Sequence, residues 1–472
     1  MNSVTVCRSR YDVCVKSIHE LKLYNRNISC YKSRMLTNPV FLSVIIMVVL
    51  CLLKLNVLLS LIVAALAGGV LAGMPLGETM STLIGGMGGN SSTALSYILL
   101  GALAASLHKT GIAVVLTRNI GRLVKDKAVV MLLIIAGVAS LSQNLIPVHI
   151  AFIPILVPPL LAVMNKLKLD RRAAATALTF GLKAPYVALP IGYGWIFHGI
   201  MSDQMAENGL VVAQGQIWHV MWVAGLAMLV GLIVAVFFTY RKPREYQELQ
   251  LAPDAVTESM AAAPEKMTRS HWVALVGALS ALAIQVSPLG SLHIGALVGI
   301  AIMLVGRAIQ WQDIDEMISS GIGMMGFIAF VMLVAAGYGA VIRETGAVQP
   351  LVETASALLG GSRLIGATVM ILIGLFITMG LGTSFGTIPI IAAIYVPMAM
   401  SLGFSTPATI LLIGVAAALG DAGSPASDST LGPTAGLNVD GQHDHIWDTC
   451  VPTFLHYNIP LMIVGILGAV IL

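Results

Sequence analysis

The sequence predicts an all-α polytopic membrane protein of two inverted repeats, each of about five transmembrane helices plus a re-entrant hairpin and a broken helix. Three observations carry this. Of 472 residues, 57% are hydrophobic and 10% charged, against roughly a quarter charged in soluble domains. Apolar runs such as "IWHVMWVAGLAMLVGLIVAVFF" have the length a helix needs to cross a hydrocarbon core, and the alternating decamers of a membrane barrel are missing. The chain also matches itself at a spacing of roughly 237 residues, the mark of a duplicated unit. "MSTLIGGMGG" (80–89) pairs with "MISSGIGMMG" (317–326), Lys109-Thr110-Gly111 with Glu344-Thr345-Gly346, Val157-Pro158 with Val396-Pro397, and Gly181 with Gly420.

Residues 1–38 form a basic N-terminal extension without the apolar segment and small-residue cleavage site of a signal peptide. It contrasts so sharply with the apolar chain from residue 39 onward that Met35 is the expected native start. The first repeat, 39–240, reads as helices near 39–53, 57–73 and 93–107, then an amphipathic stretch at 112–124. A broken pair at 127–165 bends at "LSQNLIPVH", and a broken helix at 173–200 and a closing helix at 217–240 complete the repeat. Residues 241–270 are a charged linker with prolines and alanines, which reads as a surface connection. The second repeat, 271–472, has the same plan near 271–287, 291–307, 322–342, 347–360, 363–402 (bending at "GLGTSFGTIP"), 406–438 and 450–472.

Five crossings per half invert the second repeat relative to the first, a recurrent build of secondary transporters with sites where broken helices meet near the midplane. Lys and Arg give an independent check, since they favour the cytoplasmic side. The parse puts Lys109, Lys166, Lys168, Arg171, Arg172, Arg241, Lys242, Arg244 and eight others on one side, and only Arg343 and Arg363 on the other. The linker is therefore expected in the cytoplasm and the protein in a bacterial plasma membrane, with the bilayer as its surroundings.

Several classes are excluded or unsupported. The five cysteines form no CxxC pair and so point neither to a disulfide framework nor to a metal site. No HExxH, P-loop or GxSxG motif supports ATP-driven transport or hydrolysis. His443, Asp444 and His445 lack a fourth ligand in pattern. The expectation is a carrier, not an enzyme, with no cofactor, no transition metal and no nucleic-acid partner.

The chemistry concentrates in three charges that the parse leaves inside the membrane: Lys183, Asp421 and Asp428. Intramembrane ionisable groups cost roughly 3 kcal/mol on insertion scales and mark functional sites. Lys183 in "GLKAPYVALPIGYG" and Asp421 in "GDAGSPASDST" fall just after the paired Gly181 and Gly420, at matching breaks. Around the aspartates lie Ser424, Ser427, Ser429 and Thr430, and the second bend adds Thr383 and Ser384. Carboxylate, hydroxyl and carbonyl oxygens are hard ligands suited to Na+ or a proton. Two neighbouring carboxylates titrate as a coupled pair, which suits exchange of H+ for Na+. Lys183 is either a counter-ion displaced by the cation or the anchor of an organic carboxylate, with Gln143, Asn144 and His149 of the first bend beside it. A plain structural ion pair between Lys183 and Asp421 is the competing reading, and helix glue is the competing reading of the hydroxyl cluster.

At "GDAGSPASDSTLGP" the sequence resembles the bacterial Na+/H+ antiporter family of the NhaC type, within the ion transporter superfamily. That family carries a Ser-Pro-x-Ser-Asp-Thr-Thr-like motif, here Ser424, Pro425, Ala426, Ser427, Asp428, Ser429 and Thr430, with Ser429 departing from the usual Thr. The resemblance implies a homodimeric secondary carrier whose hairpin-bearing domain moves against a scaffold. By likeness to the family, Ser424, Ser427, Asp428 and Thr430 are ion-site residues. Related proteins include carriers of amino acids and other small carboxylates, so the cargo is Na+ and H+ or a small organic solute.

Overall fold

The computed structural model describes residues 33–53, 55–112, 115, 128–144, 153, 157, 160–161, 163–247, 267–287, 291–358, 360–425 and 427–472. Among them no strand is present. Before the linker come α1 (Pro39–Leu52), α2 (Val57–Leu71), α3 (Leu76–Met87), α4 (Ser91–Lys109), α5 (Ala128–Asn144), α6 (Arg171–Ala188), α7 (Tyr193–Glu207) and α8 (Gln214–Val234), the last continued by a π-helical stretch, Ala235–Thr239. After it come α9 (Arg269–Val286), α10 (Leu292–Val305), α11 (Ile314–Glu344), α12 (Val348–Leu358), α13 (Arg363–Leu381), α14 (Ser384–Ser401), α15 (Thr406–Ala418) and α16 (Asp428–Leu437). Two π-helical stretches, His445–Cys450 and Phe454–Asn458, lead into α17 (Ile459–Ile471).

The helices start where their side chains cap them. Asn38 accepts from the amides of Val40 and Phe41 ahead of Pro39, Asn56 caps α2, and Asp170 caps α6. Ser405 caps α15, two residues before Pro407. A capping side chain satisfies amides that the first turn would otherwise leave without partners.

Five helical runs are long and apolar enough to cross a membrane, or seven if each bent pair counts as one span, and six shorter apolar helices accompany them. The protein is multi-pass. Most predicted elements appear within a few residues of their expected ends, with four differences. Residues 76–87, given no helix of their own from the sequence, form α3, bent by 54° from α4. Helix α11 begins at Ile314, not 322, because Asp313 accepts from the Gln310 amide and starts the turn early. The closing run begins at 445, not 450, because the Asp444 carboxylate caps the Trp447 amide at 2.7 Å. The arms α13 and α14 are 19 and 18 residues long, or about 28 Å each, which is span length. The amphipathic stretch 112–124, the first bend at 141–149 and most of the linker lie outside the described residues apart from their edges, as do residues 1–32 of the extension.

Packing divides the helices into two groups. Helices α1–α4 pack with α9–α11, and α5–α8 pack with α13–α17, while α11 against α14 and α1 against α13 join the groups. Each half of the chain thus sends its early helices to one group and its later ones to the other. The anchor segments 80–89 and 317–326 lie in the first group, where helices approach closely: a Cβ on Gly101 would sit 2.6 Å from the Gly321 carbonyl oxygen. Ion pairs between elements join residues that the sequence parse puts on the same side. Lys109 meets Asp313 at 2.9 Å, Lys168 meets Glu245 at 2.6 Å, and Arg171 meets Asp440 at 2.5 Å. Arg343 and Glu207 pair at 2.9 Å at the opposite end.

Candidate functional site

Two interruptions in the second half build the site. Helix α13 ends at Gly382, which adopts a left-handed conformation (φ 66°), and α14 starts immediately after Thr383. Helix α15 ends at Ala418, and residues 419–425 and 427 are not helical before α16 begins at Asp428. Gly420 allows that exit: its φ is +78°, and a Cβ there would lie 2.7 Å from the Met379 amide nitrogen, a conformation and a spacing only glycine tolerates.

The unwound segment brings Asp421 to the start of α14. The Ser384 amide donates to the Asp421 carboxylate at 3.1 Å and the Ser384 hydroxyl at 2.6 Å. The carboxylate therefore meets the partial positive charge of a helix N-terminus. The Ser427 hydroxyl also donates to Asp421, and Ser429 Oγ donates to its backbone carbonyl at 3.1 Å. Asp428 opens α16 and occupies a helix N-terminus of its own.

Lys183 comes from the other half of the chain. Its ammonium pairs with the Asp421 carboxylate and donates to Ser384 Oγ at 2.8 Å and to the Tyr186 hydroxyl at 2.6 Å. Ser384 Oγ thus accepts from the lysine and donates to the aspartate. Lys183 is 2% exposed and Asp421 6%, so the pair is withdrawn from solvent.

The sequence put Lys183 at a helix break matching that of Asp421, and this is corrected. Gly181 and Lys183 lie inside α6, which continues to Ala188. Pro185 within α6 has no N–H to offer the Gly181 carbonyl, so that oxygen is released without ending the helix. The break falls later, between Ala188 and Tyr193, with a 47° bend.

Lys183, Asp421, Asp428, Ser429 and Thr383 line one cavity with ≈ 440 Å³ of empty volume, mouth included. Ser384 and Ser427 reach it through Asp421. Ser424 and Thr430 instead shape the unwound loop: Ser424 donates to the Met379 carbonyl at 3.1 Å, and Thr430 donates to the Ser424 carbonyl at 2.5 Å. Gln143 and Asn144 end α5, but their side chains, and all of His149, lie outside the described residues. The imidazoles of His443 and His445 bond to Thr449 and Thr434, both at 2.7 Å.

Sequence reasoning missed the walls. Tyr97, Tyr186, Tyr193 and Phe385 line the same cavity. Tyr97 meets Tyr193 and Phe385 edge-on at 5.5 and 5.8 Å, and Tyr186 stacks on Phe385 at 5.2 Å. The signal in the sequence was slight: Tyr186 falls three residues after Lys183, one helical turn, and Phe385 follows Ser384. Tyr97 carried none, since it reads as one aromatic in an apolar run.

Interrupted membrane helices around a buried, charged cavity define a membrane transporter. The Na+/H+ antiporter family matches residues 177–466, and a second Na+-H+ antiporter family matches residues 38–124. A putative amino acid transporter of Bacillus subtilis, YuiF, is 46% identical over 449 residues, covering 92% of this chain and all of that protein. An uncharacterised membrane protein of Haemophilus influenzae is 44% identical over 454 residues, covering 93% of this chain and all of that protein. Two solved transporters share the fold. YdaH of Alcanivorax borkumensis has a TM-score of 0.59 at 14% identity, over 84% of this chain and 88% of that one. MtrF of Neisseria gonorrhoeae has a TM-score of 0.59 at 17% identity, over 84% and 85%. The chain belongs to the Na+/H+ antiporter family.

Proposed function

We propose that the protein exchanges Na+ for H+ across the bacterial plasma membrane by alternating access, with Asp421 and Asp428 as cation and proton ligands and Lys183 as their electrostatic partner. The observation that carries this reading is the Lys183–Asp421 pair in one buried cavity with a second carboxylate. A cation that takes the Asp421 carboxylate must displace the ammonium. A buried charge without a partner is costly, so keeping the site's charge constant couples cation entry to proton departure. The like division of both chain halves between the two helix groups supports the inverted-repeat plan with boundaries at 39–240 and 271–472. The ion pairs that respect the predicted sides support a cytoplasmic linker at 241–270. The homodimer rests on the family resemblance.

The test is purified protein in liposomes with a pH dye inside, challenged with Na+, K+ or Li+ outside. Proton movement that requires Na+ in the wild type and vanishes in Asp421→Asn and Asp428→Asn supports the reading. A flat wild-type trace from folded protein sinks it.

A second reading is favoured by the aromatic walls, which a bare cation does not need, and by the name of the Bacillus relative. A Na+- or H+-coupled carrier of an amino acid or small carboxylate would set the substrate carboxylate on Lys183 and, for an amino acid, the ammonium near Asp428, between aromatic faces that favour cations. Lys183→Glu should then abolish organic uptake, whereas a pure antiporter would keep cation exchange with altered pH dependence.

A further inference from the structure

A second cavity lies away from the transport site, at the basic end of the helices. It has ≈ 490 Å³ of empty volume, mouth included, between the start of α5, the turn before α6 and the end of α8. Its inner wall is apolar, formed by Leu132, Leu167 and Val236, and its rim carries Lys168, Arg241 and Lys242, with Tyr240 between wall and rim. One carboxylate, Asp170, also lines it, but Arg172 holds that group at 2.6 Å and Arg244 lies 3.9 Å from it. Lys168 is paired with Glu245 at 2.6 Å. Arg241 and Lys242 are exposed and take part in no ion pair or side-chain hydrogen bond among the described residues. Among the described residues, the rim therefore keeps two cations without a counter-charge.

The position identifies the occupant. The cavity closes on the last turn of the run Gln214–Thr239, a candidate membrane span. Phe237 and Phe238 on that turn are 42% and 74% exposed, as residues facing acyl chains would be. Tyr240 comes next, at the depth where aromatic side chains mark the membrane interface, and Arg241 and Lys242 lie just beyond, at headgroup level. Exposed phenylalanines on a candidate span, below a basic rim that has no counter-charge among the described residues, match one amphiphile: acyl chain below, phosphate above.

We propose that this cavity seats the headgroup of an anionic phospholipid, its phosphate held by Arg241 and Lys242 at the mouth and its acyl chain lying outside the cavity along the exposed Phe237 and Phe238. This is independent of the cargo of the transport site.

The full-length protein, purified in detergent, is titrated with phosphatidylglycerol and with phosphatidylcholine of the same chains. Retention is read by native mass spectrometry and thermal midpoints are measured alongside. Wild type should prefer phosphatidylglycerol, and Arg241→Gln with Lys242→Gln should lower that preference roughly 30-fold, with each single change lowering it about fivefold. The charge-retaining pair Arg241→Lys and Lys242→Arg should keep it. The midpoint in phosphatidylcholine reports whether each variant is folded, and the single variants serve if the double does not fold. Equal retention of both lipids by the wild type, or an undiminished preference in the Gln variants, overturns the proposal. So does millimolar inorganic phosphate reproducing the thermal shift, which would make the cavity a site for free anions.

Discussion

Replacing Asp421 by Asn separates a site from a strut. The change leaves the Lys183 ammonium in a cavity where it is 2% exposed. Removing one partner of a buried pair costs about 3–5 kcal/mol. Here the cost should fall at the lower end, because Ser384 Oγ and the Tyr186 hydroxyl still accept from the ammonium at 2.8 and 2.6 Å. About 3 kcal/mol is roughly a hundredfold in the folded-to-unfolded ratio. Lys183→Met should cost less, since Asp421 keeps the Ser384 amide, the Ser384 hydroxyl and the Ser427 hydroxyl as donors. The double variant Lys183→Met, Asp421→Asn removes both charges and should return to within about 1 kcal/mol of wild type, because paired deletion leaves no orphaned charge. The assay is denaturant unfolding in detergent micelles for all four proteins, with the liposome measurement on each that folds. The expected result is a double variant that is folded and does not transport. A double variant that still moves protons in response to Na+ would show that the pair only holds helices together. An Asp421→Asn protein as stable as wild type would refute the electrostatic account itself.

Three further outcomes are expected. Gly420→Ala should destabilise by more than about 2 kcal/mol in the same unfolding assay, from the positive φ and the backbone contact at 2.7 Å together. Tyr97→Phe keeps the ring contacts and deletes a hydroxyl that is buried without a hydrogen-bond partner among the described residues. It should leave stability within about 1 kcal/mol and weaken the apparent affinity for the transported cation or solute, read as KM in liposomes. The loop after α16 should set the acid limb of stability. Burial pushes His443 down to about 4, so between about pH 6.5 and 4 the unfolded chain binds a proton that the folded one does not, and stability declines as the pH is lowered through that window. His443→Gln should flatten that limb by up to ~3 kcal/mol. Burial alone would raise Asp440, but the bonded Arg171 guanidinium outweighs it and holds the carboxyl below the usual carboxylate range. That contribution is present above about pH 4 and lost below it, so Asp440→Asn should show a shallower decline there.

The fold was legible because a bilayer leaves few choices: a backbone without water must satisfy itself within helices, so apolar run lengths translate almost directly into helices. The sequence was weakest where a helix is neither apolar nor interrupted. Helix α3, with Gly85, Gly86 and Thr82 among its residues, has no membrane-like run, and it forms because Gly86 and Gly337 let it lie against α11. The charged core of the site was legible for the opposite reason, since a charge in an apolar sequence is conspicuous. Pairing Lys183 with Asp421 followed from the repeat, although Pro185 inside α6 displaced the break. The aromatic walls were not legible, because an aromatic that lines a cavity and one that faces lipid are the same letter in an apolar run.

How the site could alternate depends on which group owns each residue. Lys183 and Tyr186 sit on α6 and Tyr193 on α7, while Phe385 is on α14, Asp421 lies between α15 and α16 and Asp428 opens α16, all within the second helix group. At the basic end the same elements are clasped again, where Arg171 at the start of α6 holds Asp440 just past α16. Two ion pairs thus tie α6 to the α15–α16 segment at both ends, and the charged centre would travel with this group as a unit. Among the described residues lining the cavity, Tyr97 on α4 is the one contribution from the first group. A movement of one group against the other would leave the Lys183–Asp421 pair intact and change the contact with Tyr97, so access could switch without dismantling the binding chemistry. That is why the ring contacts are kept and the hydroxyl alone removed in Tyr97→Phe: the change touches the boundary between the groups while the pair stays whole.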